Sequence, residues 1–228
     1  MQDAEFDQYA ADYQDLVDAS IRISGESADY FARQRIVYLR SQLERLGHPA
    51  TRVLDYGCGV GLAAPLLRDE LGAGHVCGLD VSAQSIGVAR KKAITNAQFE
   101  TLDHFARAAD YDVCYSSGVF HHIVPADRPH ALSIIRHALR PGGLMALWEQ
   151  NPFNPGTRWA MYHCVFDADA QTLSARTGRR LMRENGFEVV ATRYLFIFPR
   201  SLRAFRFLEP KVAPLPIGAQ YLVLARKL

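Results

Sequence analysis

The stretch Val53–Gly61, VLDYGCGVG, constrains the chain most. An apolar, β-branched run leads into an acid, Asp55, and glycines follow at 57, 59 and 61. Leu62, Ala63, Ala64, Leu66 and Leu67 then permit a helix. The pattern reads as a buried strand, a tight turn and a helix start. Glycine tolerates positive φ and leaves no Cβ between backbone and ligand. The first helix turn is expected to point free N–H groups into the same space. A dinucleotide fingerprint, G-x-G-x-x-G, seats a pyrophosphate on that helix. Here the third glycine comes one residue early, and Asp55 in the turn mouth repels phosphate. Asp80, ending the next predicted strand nineteen residues after Gly61, suits two ribose hydroxyls. The pair of acids therefore asks for a ribose and a cationic amino-acid group without phosphate.

Around this stretch, strand and helix patterns alternate. Strands are predicted at Thr51–Tyr56, His75–Leu79, Ala97–Leu102, Asp112–Ser116 and Leu144–Glu149. Helices are predicted at Gly61–Leu71, Ser82–Ala93 (with Ser82 as N-cap) and Arg128–Leu139. Two helices precede them, 1–24 and Ala28–Leu46, the second ended by Gly47-His48-Pro49. After the turn-rich Asn151–Gly156 come an insertion, Thr157–Gln171, and a helix, Thr172–Asn185. A strand (Phe187–Tyr194), a short helix (Arg200–Leu208), a proline-rich turn (Pro210–Pro216) and a last strand (Gly218–Ala225) complete the chain. Apolar strands in repeated β-α units imply a parallel sheet covered on both faces. At 228 residues and 49% apolar content, the length suits one domain with a small cap.

VLDYGCGVG, GLDVS, YDVCYSSGVFHHI and LRPGGLMALWE together resemble the successive motifs of class I S-adenosylmethionine-dependent methyltransferases. The resemblance covers Thr51–Gln150 and says little about substrate. It implies an α/β, Rossmann-like, seven-stranded mixed sheet with strand seven antiparallel. Helices would cover both faces, under a small helical or loop cap. The domain would divide into N-terminal helices (1–48), a cofactor-binding core (51–150) and a cap with C-terminal hairpin (151–228). It implies S-adenosylmethionine as cofactor and S-adenosylhomocysteine as product. Asp55 and the backbone of Gly57, Cys58 and Gly59 would hold the amino-acid portion, and Asp80 the ribose. Val81, Leu102 and Asp103 would border the adenine, with Ser116 and Ser117 completing the cleft. By the same analogy Tyr9 or Tyr13 would reach over the cofactor mouth.

Methyl transfer from a sulfonium needs an aligned nucleophile and exclusion of water. A base is needed only for hydroxyl or acidic carbon nucleophiles. His121, His122 and Glu149, after predicted strands four and five, are the candidates; packing under the cofactor is the plain alternative for the histidines. Asn151-Pro152-Phe153 invites comparison with the N-P-P-Y motif of DNA amino-methyltransferases. That motif follows strand four, and this one follows strand five. In FIFPRSLRAFRFL, apolar residues and Arg200, Arg203 and Arg206 form parallel rows of period three. These rows suit either closure of a pocket, with Arg203 meeting a bulky apolar or anionic acceptor, or a lipid surface.

Residues 1–50 hold five Arg against nine Asp/Glu, and residues 158–228 hold twelve Lys/Arg against five Asp/Glu. The basic end keeps RNA methylation as an alternative to a small-molecule acceptor, although a nucleic-acid partner is not favoured. A non-catalytic S-adenosylmethionine-binding protein is the rival from another class. Cys58, Cys77, Cys114 and Cys164 lack metal-ligand spacing, so no metal site is expected. They read as reduced thiols in a cytoplasmic protein. The acidic start lacks the basic and apolar regions of a signal peptide, and no run of 18 apolar residues is found. Oligomeric state is not legible.

Overall fold

The computed structural model describes residues 13–105, 109–167 and 169–228, without the side chains of 13–15 and 166. Seven strands form one sheet: β1 (Arg52–Tyr56), β2 (His75–Asp80), β3 (Ala97–Thr101), β4 (Tyr111–Ser117), β5 (Leu139–Gln150), β6 (Phe187–Leu195) and β7 (Gln220–Lys227). Their order is β3-β2-β1-β4-β5-β7-β6. The first five run parallel, and β7 lies antiparallel between β5 and β6. The mixed sheet expected from the motifs is thus present, including its antiparallel seventh strand.

Side chains alternate across this sheet with period two, and both faces are buried. Leu54, Cys77, Cys114, Met145 and Leu147 point to one face. There they pack on α5 (Arg128–Ala138) and α7 (Ala175–Glu184) through Leu132, Ile135 and Met182. Val53, Val76, Val113, Tyr115 and Trp148 point to the other. They meet α2 (Ala28–Leu46), α3 (Ala64–Asp69) and α4 (Ala83–Lys91) through Ile36, Leu39, Leu67 and Ile86. α2 has the predicted limits, with Ser27 accepting from Tyr30 N and Gly47 in the left-handed region. Ser82 caps α4 by accepting from Ser85 N at 3.0 Å, as read from the sequence.

Several boundaries differ for physical reasons. α3 starts at Ala64 instead of Gly61, because Gly59 and Gly61 hold φ +52 and +75 and Pro65 opens the helix. β5 starts at Leu139, ahead of a register shift in its pairing with β4. Gly142, at φ +75, lets the chain pass through this irregularity and rejoin the ladder. Part of the expected proline-rich turn is helix α8 (Glu209–Val212), with Pro210 in its first turn. The predicted helix 1–24 is described only from α1 (Tyr13–Ile21), followed by a 3₁₀ turn, Arg22–Ser24. No described helix is long and apolar enough to cross a membrane.

Insertions gather at the carboxyl ends of the parallel strands. After β5 come α6 (Pro155–Tyr162) and a 3₁₀ turn, Val165–Asp167. Asn154 caps α6, and Thr157 Oγ1 donates to Ala219 O at 2.7 Å, tying α6 to the start of β7. After β6 a 3₁₀ segment, Arg200–Leu208, lies against the Gly25–Glu26 turn. A kink at Leu202 (φ −108, ψ 22) divides the segment, so the period-three rows read from the sequence do not form one continuous face.

Gly57 is held at φ +76, and a Cβ there would run into the Val119 side chain. Gly57→Ala combines backbone strain with overlap, at about 2–3 kcal/mol. A melting temperature lower by about 5–10 °C is expected in a calorimetric scan. An unchanged melting temperature would show that the turn relaxes freely.

Candidate active site

A chamber of about 910 Å³ opens at the carboxyl ends of β1, β2, β4 and β5. Open α/β sheets bind ligands at this edge. One end is formed by the glycine turn, Asp80, Val81, Leu102 and Ser117. The other carries Tyr30, Phe31, Phe196 and Phe198, beneath α6. Phe31 and Phe196 meet edge to face at 4.8 Å, and the Arg206 guanidinium lies 4.9 Å from the Tyr30 ring centre.

The turn is stitched to β2. Gly57 N and Cys58 N both donate to Leu79 O, at 2.8 and 2.9 Å. Gly59 N donates to Asp80 Oδ2 at 2.8 Å, and Ser82 N to Asp80 Oδ1 at 2.9 Å. The amides of Gly57, Cys58 and Gly59, expected to face a ligand, are bonded within the fold. The glycine turn uses its donors internally and presents a surface without side chains. A Cβ on Gly59 would enter open space, and Gly59 lines the chamber. Asp55 lies just beneath the lining, 2% exposed. Burial and the neighbouring Asp80 raise its pKa to about 7. Its Oδ2 has no hydrogen-bond partner, nor do Ser116 Oγ and Trp148 Nε1 at the ends of β4 and β5. Orphaned buried polar atoms cost about 1–3 kcal/mol each, which a bound polar ligand can recover.

Glu149 organises the second end. Its Oε1 accepts from Phe120 N at 2.7 Å, and its Oε2 lies 2.6 Å from His121 Nδ1. His121 Nε2 stands 3.3 Å from Asp167 Oδ1, and His122 Nε2 3.6 Å from the same oxygen. Burial pulls the His121 pKa down, but the Glu149 and Asp167 carboxylates outweigh it and raise it to about 10. His122, half-buried beside the His121 ring at 4.1 Å, is lowered to about 4 by burial and by that neighbour. Arg128, only 5% exposed, donates to Phe120 O, Ile123 O and Gln171 O, and Gln171 N donates to His121 O. It thereby locks the histidine loop to the base of the cap.

A family model described as a methyltransferase domain matches residues 31–192. The chain belongs to the class I S-adenosylmethionine-dependent methyltransferases. The site fits the cofactor of that family: an orphaned carboxylate oxygen at Asp55, a bare glycine surface at Gly59 and a second carboxylate at Asp80. Among curated relatives, the ribosomal protein L11 methyltransferase of Dechloromonas aromatica is 38% identical over 107 residues, 46% of this chain and 34% of its own. The trans-aconitate 2-methyltransferase of Deinococcus radiodurans is 31% identical over 99 residues, 43% of this chain and 38% of its own. The methyltransferase chain thus spans a little over a third of the length of these relatives. In fold, it resembles a SAM-dependent methyltransferase from Archaeoglobus fulgidus, with TM-score 0.60, 18% identity and coverage of 83% and 93%. A TehB-like enzyme from Corynebacterium glutamicum gives 0.61, 17% identity and 98% of both chains.

Of the sequence-predicted residues, Gly57, Gly59, Asp80, Val81, Leu102, Ser117, His121, His122 and Glu149 line this methyltransferase chamber. Cys58 and Ser116 are buried behind it. Asp103 is exposed, because the chain enters a 3₁₀ turn at Leu102. Arg203 is exposed on the outside of its 3₁₀ segment, and Arg206 reaches the chamber instead. Asn151 is drawn into the fold, donating to Pro216 O and Gly218 O, and Asn154 takes the wall position. Tyr9 and the side chain of Tyr13 lie outside the described residues. Asp167 and Arg128 were missed, and no local pattern marks either. Asp167 arrives through the folding of the insertion, and an arginine in a first helix turn reads as solvated.

Asp80→Ala removes both the proposed ribose acceptor and the bond to Gly59 N. Calorimetric titration with S-adenosylhomocysteine is expected to show affinity lower by about 100-fold, from loss of charged hydrogen bonds. Unchanged affinity would place the ribose elsewhere.

Proposed function

We propose that the chain transfers a methyl group from S-adenosylmethionine to a nucleophilic oxygen, nitrogen or carbon of a small, partly apolar or anionic molecule. The observation that carries this reading is the single chamber shared by the glycine turn and the Glu149–His121 pair. Its volume suits small ligands, whose pockets run to about 1,000 Å³. The cofactor, when bound, supplies a methyl group on a cationic sulfur, already an excellent leaving group.

The chain's own residues do the rest. Asp55 and Asp80 hold the donor against the bare surface of Gly57 and Gly59, with Val81, Leu102 and Ser117 around its base and Cys58 and Ser116 behind the wall. Phe31, Phe196 and Phe198 wall the acceptor end, which keeps water from the reacting groups. Arg35, bonded by the neutral partners Tyr115 and Gln220, offers an anionic acceptor a positive charge. His121, His122 and Glu149 receive the acceptor's nucleophile and orient it toward the methyl. The trans-aconitate enzyme, a relative named for a small anionic acceptor, is in keeping with it. RNA methylation would draw on the basic C-terminal third. There Arg200 and Arg206 are engaged with Gly25 O and Glu26, which favours the small-molecule reading. The buried thiols of Cys58, Cys77 and Cys114 suit a cytoplasmic setting.

Incubation with methyl-labelled S-adenosylmethionine and a host metabolite extract is expected to yield a labelled small molecule by mass spectrometry. His122→Ala should lower turnover by about 100-fold or more while S-adenosylhomocysteine affinity stays within about threefold. Label found only in RNA or protein, or turnover indifferent to the substitution, would overturn the reading.

A further inference from the structure

We propose that His121, His122 and Asp167 bind a divalent transition-metal ion at the acceptor end of the chamber. This rests on the methyltransferase reading above for its role, though not for its geometry. One donor atom from each residue lies within 4.8 Å of the other two. All three residues line the chamber.

The distances separate two kinds of contact. His121 Nδ1 and Glu149 Oε2, at 2.6 Å, share a proton in a short hydrogen bond. His121 Nε2 and His122 Nε2 stand off from Asp167 Oδ1 at 3.3 and 3.6 Å. Charge-assisted N–H···O bonds are shorter, about 2.7–2.9 Å. Ligands held at about 2.0–2.1 Å on a tetrahedral ion lie about 3.4 Å from one another. Both imidazole nitrogens thus stand from the shared carboxylate oxygen at the spacing of groups that share a cation.

The surroundings support the same assignment. Glu149 fixes His121 through Nδ1, leaving Nε2 directed at Asp167, which is the carboxylate–histidine support common behind metal ligands. Glu149 is itself held by Phe120 N. The side chains of His121, Asp167 and His122 are 3%, 11% and 20% exposed, so bulk water competes weakly. Two imidazoles and one carboxylate favour Zn²⁺, Mn²⁺, Fe²⁺ or Co²⁺ over Mg²⁺ and Ca²⁺, which prefer all-oxygen sets. Three protein ligands leave coordination positions for the acceptor. An oxygen that coordinates there becomes more acidic, which narrows the acceptor class to a hydroxyl- or enol-bearing compound. The ion would also join the cap, through Asp167, to the histidine loop after β4.

The test is calorimetric titration of chelator-stripped, full-chain protein with Zn²⁺, Mn²⁺ and Co²⁺, with Co²⁺ followed by visible absorption. A saturable single-site isotherm and new cobalt bands are expected for the wild type. His122→Ala and Asp167→Asn should each weaken binding by tenfold or more, and Glu149→Gln by about 10–100-fold. S-adenosylhomocysteine affinity, measured in parallel, should stay within about threefold and verifies that each variant is folded. Absence of saturable binding by the wild type, or binding undiminished in both His122→Ala and Asp167→Asn, overturns the site. Loss of S-adenosylhomocysteine binding by the wild type would instead overturn the methyltransferase reading.

Discussion

A carboxylate that its own protein leaves unsatisfied sets the terms for this fold. Asp55, the penultimate residue of β1, is almost without exposure, and one of its oxygens has no partner. Burial makes that charge costly and the neighbouring Asp80 adds to the cost, which raises its pKa to about 7. Asp80 stands close by, engaged with Gly59 N and Ser82 N. Two acids at adjacent strand ends repel phosphate and favour a cation. The glycines serve that arrangement by close approach, since their amides are turned back onto Leu79 and Asp80.

The second half of the chamber is built on the same principle with the partners supplied. Glu149, the penultimate residue of β5, is bonded through both oxygens, to a backbone amide and to His121. Arg128 holds the carbonyls on either side of the histidines and the carbonyl of Gln171. One buried cation therefore orders the loop after β4 and the end of the insertion together. This is the route by which Asp167, remote in sequence, comes to face two adjacent histidines.

Much of this was legible in the residues. The central strands are apolar on both faces, so Val53-Leu54, Val76-Cys77 and Val113-Cys114 announce a buried parallel sheet. Gly47 and Ser82 marked helix ends through local chemistry that needs no tertiary context. The turn's hydrogen bonds were not legible, because they depend on a carbonyl contributed by β2. Asn151 and Asn154 share a motif and a residue type, and only the packing of the Pro216–Ala219 segment decides which one reaches the chamber. Arg203 and Arg206 are likewise equivalent in pattern, and the position of Glu26 separates them.

The account stands on the charge of Asp55, so the pH dependence of cofactor-product binding tests it most directly. Calorimetry with S-adenosylhomocysteine should show affinity rising with pH up to about 7 and levelling above it, as the carboxyl group loses its proton. Below that point the fall approaches about tenfold per pH unit. Asp55→Asn should bind more weakly and without this dependence. Wild-type affinity that is flat through this range and matched by Asp55→Asn would contradict the account.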